Sequence, residues 1–155
     1  VVAPGTGICL QNRGALFSLN PGHANALAPH KRPYHTIIPA MATKNGKLFM
    51  SFGVMGGFMQ PQGHVQTAIN ILDFDMDPQQ ALNAPRYCYH EGYKTGIESG
   101  LSDKTYADLR SRGHDLAVTG DFIGFGGGQI IMVDQQSGAL LGGSDPRKDG
   151  CAVGY

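Results

Sequence analysis

Lys47-Leu48-Phe49-Met50-Ser51-Phe52-Gly53-Val54-Met55-Gly56-Gly57-Phe58-Met59-Gln60-Pro61 is the stretch from which the rest of the chain can be read. Residues 36–42 and 47–54 flank Thr43-Lys44-Asn45-Gly46. Asn-Gly supplies the two positive-φ residues of a type I′ turn, so the pair predicts an antiparallel hairpin. After the second strand, Pro61 can open a helix in which Val65, Ala68, Ile69 and Leu72 recur at spacings of three and four. That spacing predicts that the face carrying them is buried. Between strand and helix stand Gly56 and Gly57. Two consecutive glycines let the backbone turn without a Cβ and leave peptide N–H groups at the helix start pointing into open space. Such donors, helped by the helix dipole, can hold an oxyanion. A Gly-Gly pair taken alone reads more readily as a tight turn with no chemical role.

Working outward, residues 7–11 read as a short strand and residues 21–33 as a loop long enough to suggest function. Asp77 can cap a short helix through Leu82, with Pro78 at its first position and Pro85 stopping it. Residues 102–112 form a third helix, capped by Ser102 and ended by Gly113. Residues 129–134 and 139–141, joined across Gln135-Gln136-Ser137-Gly138, make a second hairpin. Strands first, helices in the middle and strands last predict an α+β fold with antiparallel pairing, organised as one unit over residues 1–155.

Composition excludes several classes of function. Lys plus Arg and Asp plus Glu each number 12, so no net positive charge is present to condense on a nucleic acid backbone. No apolar run approaches the ~20 residues of a membrane-spanning helix, so no membrane partner is expected of this segment. Cys9, Cys88 and Cys151 are too widely spaced for a paired redox or metal motif and read as reduced thiols, which leans toward a cytoplasmic compartment. The six histidines show no ligand spacing, and no metal is expected. Gly-Phe-Gly-Gly-Gly at 124–128 does not lead from a strand into a helix. It reads as a flexible or closely packed turn rather than a dinucleotide fingerprint, and no cofactor is expected. Lys31-Arg32, with His35 and Thr36 just before the first hairpin, could contact an anionic substrate, although a Lys-Arg pair is more often a solvated or structural feature. No nucleophile elbow, phosphate-binding lysine motif or Cys/His pair is present. The residues by themselves therefore give an oxyanion-hole candidate without a nucleophile.

Several blocks together carry a resemblance. They are Gly7-Ile8-Cys9-Leu10-Gln11-Asn12, Asn25-Ala26-Leu27-Ala28-Pro29-His30-Lys31-Arg32-Pro33, Gly53-Val54-Met55-Gly56-Gly57, Ala84-Pro85-Arg86, Gly143-Ser144-Asp145-Pro146-Arg147 and the closing Gly154-Tyr155. In order and spacing the set resembles the small subunit of the gamma-glutamyltransferase (gamma-glutamyltranspeptidase) family over essentially the whole chain. The resemblance implies an N-terminal-nucleophile hydrolase of αββα four-layer architecture, whose precursor cuts itself so that a threonine becomes both first residue and nucleophile. It further implies that Gly56 and Gly57 form the oxyanion hole, that the threonine lies upstream of Val1, and that the large subunit of the same precursor is an obligate partner. The substrate would be a small acyl amide, with water or an amine as acceptor; the chain alone would be inactive. A rival reading from another class is a binding or scaffold module that kept the sandwich without the threonine.

Departures from the family pattern bear on the donor. Where the family has a glutamine and, three residues on, an aspartate for the donor's α-ammonium, this chain has Arg13 and Leu16. His35 and Thr36 stand in place of the two serines that contact the α-carboxylate. Losing a carboxylate and gaining a guanidinium disfavours a cation and favours an anion. A donor with a carboxylate and no α-ammonium, such as a glutaryl amide, fits better than a glutamyl one, in keeping with the related cephalosporin-acylase branch.

Overall fold

The structure, a computed structural model, describes residues 1–121 and 123–154. Tyr155, the end of the last block quoted above, lies outside the described residues. The chain divides into two compact units, Val1–Thr36 and Ile37–Tyr155.

The first unit is held by local hydrogen bonds rather than by regular structure. A single 3-10 turn spans Arg13–Leu16. The Asn25 side chain donates to Leu16 O (2.7 Å) and accepts from the Tyr34 N–H (2.9 Å), and Ser18 N donates to Asn25 O. The strand predicted at 7–11 does not form; one isolated bridge joins Val2 and Cys9. Gly5 and Gly7 sit at φ of 73° and 69°, and the left-handed backbone at both positions turns the chain out of register before a second pair can form.

In the second unit, β1 (Ala40–Lys44) and β2 (Lys47–Met55) form the predicted hairpin, with Asn45 and Gly46 both at positive φ as the type I′ turn requires. Strands β6 (Gly127–Val133) and β7 (Leu140–Ser144) form the second predicted hairpin. The two hairpins join through β2 and β6 into one antiparallel sheet of order β1-β2-β6-β7. Helices α1 (Gln60–Leu72) and α2 (Pro78–Asn83) pack on it around Met50, Ile71, Ala81, Leu82 and Ile130. At α2 the expected cap is complete: Asp77 Oδ1 accepts from Gln80 N while Gln80 Oε1 accepts from Asp77 N.

A second sheet was not legible in the sequence. It is formed by β3 (Tyr87–Glu91), β4 (Lys94–Glu98) and β5 (Asp115–Thr119). Strand β4 pairs antiparallel with β3 and parallel with β5, and α3 (Asp103–Ser111) makes the crossover that a parallel pair demands. Ser102 caps α3 by accepting from Thr105 N, as expected. The layout is α+β, but strands also lie between the helices.

The buried face of α1 differs from the predicted one. Val65, Ile69 and Leu72 are 54%, 40% and 55% exposed, and the face turned inward carries Gly63, His64, Thr67 and Ile71. Close approach explains the choice. A Cβ on Gly63 would lie 2.6 Å from Val54 Cγ1, so the helix rests on β2 through its smallest residue. His64 fills the rest of the contact, its Nδ1 2.6 Å from Gln60 O and its Nε2 2.7 Å from Ile38 O.

Candidate functional site

Strand β2 ends at Met55 and the chain enters a 3-10 turn, Gly57–Met59, that leads directly into α1. Gly56 has φ of 143° and Gly57 of 59°, conformations that glycine adopts at no steric cost. At Gly56 space forbids a side chain as well, because a Cβ would lie 2.9 Å from Gly126 Cα and 3.3 Å from Met59 Cβ. At Gly57 the same construction meets open space, and both glycines are exposed. The first N–H groups of a helical turn have no acceptor within it, so donors at this junction face whatever lies outside. The turn has a firm base: Met59 is buried in a cluster with Cys88 and Phe125, and its N–H donates to Gly56 O at 3.1 Å. Preorganised donors on a rigid support are suited to stabilising developing negative charge.

Beneath the turn lies a buried network of four charged side chains: Arg86, Glu98, Asp145 and Arg147. Arg86 Nη2 pairs with Asp145 Oδ2 at 2.7 Å, with both side chains almost wholly buried. Arg147 donates to both oxygens of Glu98 and, at 3.1 Å, to Asp145 Oδ1. It also reaches the carbonyls of Leu82 and Ala84 at the end of α2. Glu98 Oε2 accepts from Arg86 N at 2.7 Å, which ties the start of β3 to β4. Burial would push the Asp145 carboxyl up, but the N–H groups of Arg147 and Gly128 and the Arg86 guanidinium outweigh it and hold that carboxyl below the usual range. The two arginine-containing blocks are visible in the sequence, but their pairing is not, because the partners are up to 59 residues apart.

In the first unit the structure brings two of the predicted substrate residues together. Arg13 Nη1 donates to Thr36 Oγ1. Thr36 is buried, whereas His35 beside it is exposed. Arg13 Nε is buried without a hydrogen-bond partner among the described residues. The ion pairs among those residues are made by Arg86, Lys94 and Arg147, so none neutralises Arg13. A guanidinium that donates to a threonine hydroxyl keeps further N–H groups with which it can hold an anion. Leu16 closes the same 3-10 turn and adds no carboxylate to it.

Comparisons with known proteins identify the family. The family model for gamma-glutamyltranspeptidase matches residues 1–155. The chain is 42% identical to the glutathione hydrolase-like YwrD proenzyme of Bacillus subtilis over 99% of its own length and 30% of that protein. It is 38% identical to the oxamate amidohydrolase proenzyme of Klebsiella pneumoniae, over 100% of this chain and 30% of the other. Among solved structures, cephalosporin acylase from Bacillus halodurans superposes with a TM-score of 0.89 at 50% identity, covering 98% of this chain and 28% of that one. The chain thus spans about 30% of the length of the curated relatives it matches. In sequence over its full length and in fold, the chain belongs to the gamma-glutamyltranspeptidase family.

Proposed function

We propose that this chain is the C-terminal portion of the small subunit of an acylase of the family, acting on a small amide whose acyl group carries a carboxylate and no α-ammonium. The observation that carries the reading is the Gly56-Gly57 turn, whose N–H donors sit at the mouth of α1 on a buried base. A threonine supplied from upstream attacks the amide carbonyl, the carbonyl oxygen takes up negative charge, and Gly56 and Gly57 stabilise it. The amine then leaves with a proton, an acyl ester remains on the threonine, and water or an amine acceptor releases the acid or a new amide. The large subunit of the same precursor completes the protein; the proenzyme names of the relatives support a processed partner.

The charge of the donor is read from Arg13 and Thr36, with the exposed His35 next in sequence. A guanidinium without a carboxylate beside it recognises an anion, and Leu16 offers no partner to an ammonium. Oxamate, named for one relative, is likewise a carboxylate-bearing amide without an ammonium. The experiment uses the complete, processed protein with glutaryl and gamma-glutamyl anilides, together with N-terminal sequencing of its subunits. The expected result is a threonine-initiated small subunit and a higher kcat/KM for the glutaryl compound. A preference for the gamma-glutamyl anilide contradicts the assignment of donor charge. A processed protein that turns over no acyl amide contradicts the acyl-transfer reading itself.

A further inference from the structure

The Gly56-Gly57 turn is in contact with a segment that has no part in the chemistry described so far, residues 124–128. We infer that Gly126, clamped in place by the buried Arg86–Asp145 pair, positions the oxyanion turn and is therefore a positioning residue for the reaction; this rests on the acyl-transfer reading of that turn.

The argument begins with two backbones in contact. A Cβ on Gly56 would lie 2.9 Å from Gly126 Cα, and a Cβ on Gly126 would lie 2.4 Å from Met55 O and 2.9 Å from Val54 Cγ1. Residue 126 thus fits against the end of β2 only as glycine, and its φ of 77° imposes the same choice. With no side chain between them, any displacement of residue 126 is passed directly to Met55 and Gly56. The flanks of Gly126 are fixed by the ion pair. On one side Phe125 O accepts from Arg86 Nη1 at 3.2 Å, and the Phe125 ring packs with Met59, the residue that closes the 3-10 turn. On the other side Gly128 N donates to Asp145 Oδ2 at 2.7 Å, and Gly128 O accepts from Asp145 N at 3.1 Å. Asp145 Oδ2 is also the atom that pairs with Arg86 Nη2, so one buried pair holds both ends of the segment. Arg86 and Asp145 act on the turn through backbone groups at 125 and 128. A charge pair this deeply buried adds little net stability compared with apolar residues, but it fixes geometry.

The test uses the complete, processed enzyme and two readouts: steady-state kinetics, and affinity for a boronic acid analogue of the acyl group, which becomes a tetrahedral anion on a hydroxyl nucleophile. Gly126→Ala is expected to lower both kcat and boronate affinity about a hundredfold, the cost of misplacing a catalytic group by ~1 Å, while KM for the anilide stays close to wild type. Arg86→Lys keeps the charge but not the fork that reaches both Phe125 O and Asp145. It is expected to show the same pattern at smaller size, and it serves if Gly126→Ala fails to fold or to process. If the wild type binds the boronate tightly and the variants retain that affinity and kcat, positioning by Gly126 is overturned while the oxyanion reading stands. If the wild type binds the boronate no better than a neutral substrate, the oxyanion reading falls and the inference with it. A loss confined to thermal midpoint, with kinetics intact, reduces the segment to a structural role and also overturns the proposal.

Discussion

The two units of the chain reach order by different physical routes. In Ile37–Tyr155 the order comes from burial: among the described residues, two sheets, three α-helices and a core whose residues, from Met50 to Ile130, are almost removed from water. In Val1–Thr36 the order comes from side-chain to backbone bonds made by Asn25, Ser18 and Asn20 around one 3-10 turn, with no apolar residue fully buried. The difference suggests a division of labour. Under the proposed function, groups that must be held tightly, the oxyanion donors, belong on the packed sheet. Under the same proposal, groups that set donor charge can change on a loop at small cost to folding.

The contrast can be broken most forcefully in the buried network. Arg86→Gln removes the 2.7 Å partner of Asp145 Oδ2 and leaves that carboxylate only Arg147, at 3.1 Å, so the expected loss is about 3 kcal/mol of stability, read as a fall in the denaturation midpoint. A change within experimental error would mean that the network is not closed as described. A smaller effect on stability, but a large one on specificity, is expected at Leu16→Asp. This half-exposed site on the loop should alter stability by less than about 0.5 kcal/mol while raising relative turnover of ammonium-bearing donors.

Acid provides an intermediate test. The Asp145 carboxyl is held below its ordinary value of about 3.9, so its contribution to stability is fully present above that pH and is lost as pH falls through the folded-state value. The stability advantage of wild type over Asp145→Asn should therefore persist at pH 6 and shrink below about pH 4; an advantage independent of pH would remove the electrostatic explanation. An effect of opposite sign is expected at Thr67, whose buried hydroxyl has no partner among the described residues. Thr67→Val is nearly isosteric and should raise stability by up to about 1 kcal/mol, read as a higher denaturation midpoint.

Both hairpins and all three helices could be read in the sequence because their signals are local: Asn45-Gly46 for the first turn, Asp77-Pro78 and Ser102 for the caps. The β3-β4-β5 sheet could not. Tyr87–Glu91 and Asp115–Thr119 are short and half-polar, and the pairing of β4 with β5 across α3 depends on packing rather than on neighbours in sequence. The face of α1 was misread for a related reason. Periodicity marks apolar positions, but the contact with β2 selects for a small residue, and Gly63 with His64 wins over Val65 and Ile69. Of the candidate site, the Gly56-Gly57 turn was legible from the strand-to-helix junction. Arg13 and Thr36 entered only as departures from a family pattern. The pairing of Arg86 with Asp145 had no local signal, since Coulomb partners 59 residues apart, just outside the ends of β3 and β7, leave no periodic trace.

The claim that Arg13 and Leu16 set the charge of the donor is tested most directly by one ratio: kcat/KM for a glutaryl anilide over that for the gamma-glutamyl anilide, in the complete enzyme and in its Arg13→Gln/Leu16→Asp variant. Hydrogen bonds to charged groups contribute about 1.5–3 kcal/mol, so the ratio should favour glutaryl in wild type and fall by at least about tenfold in the variant, toward the gamma-glutamyl donor. An unchanged ratio, with both proteins processed and folded, would contradict the account.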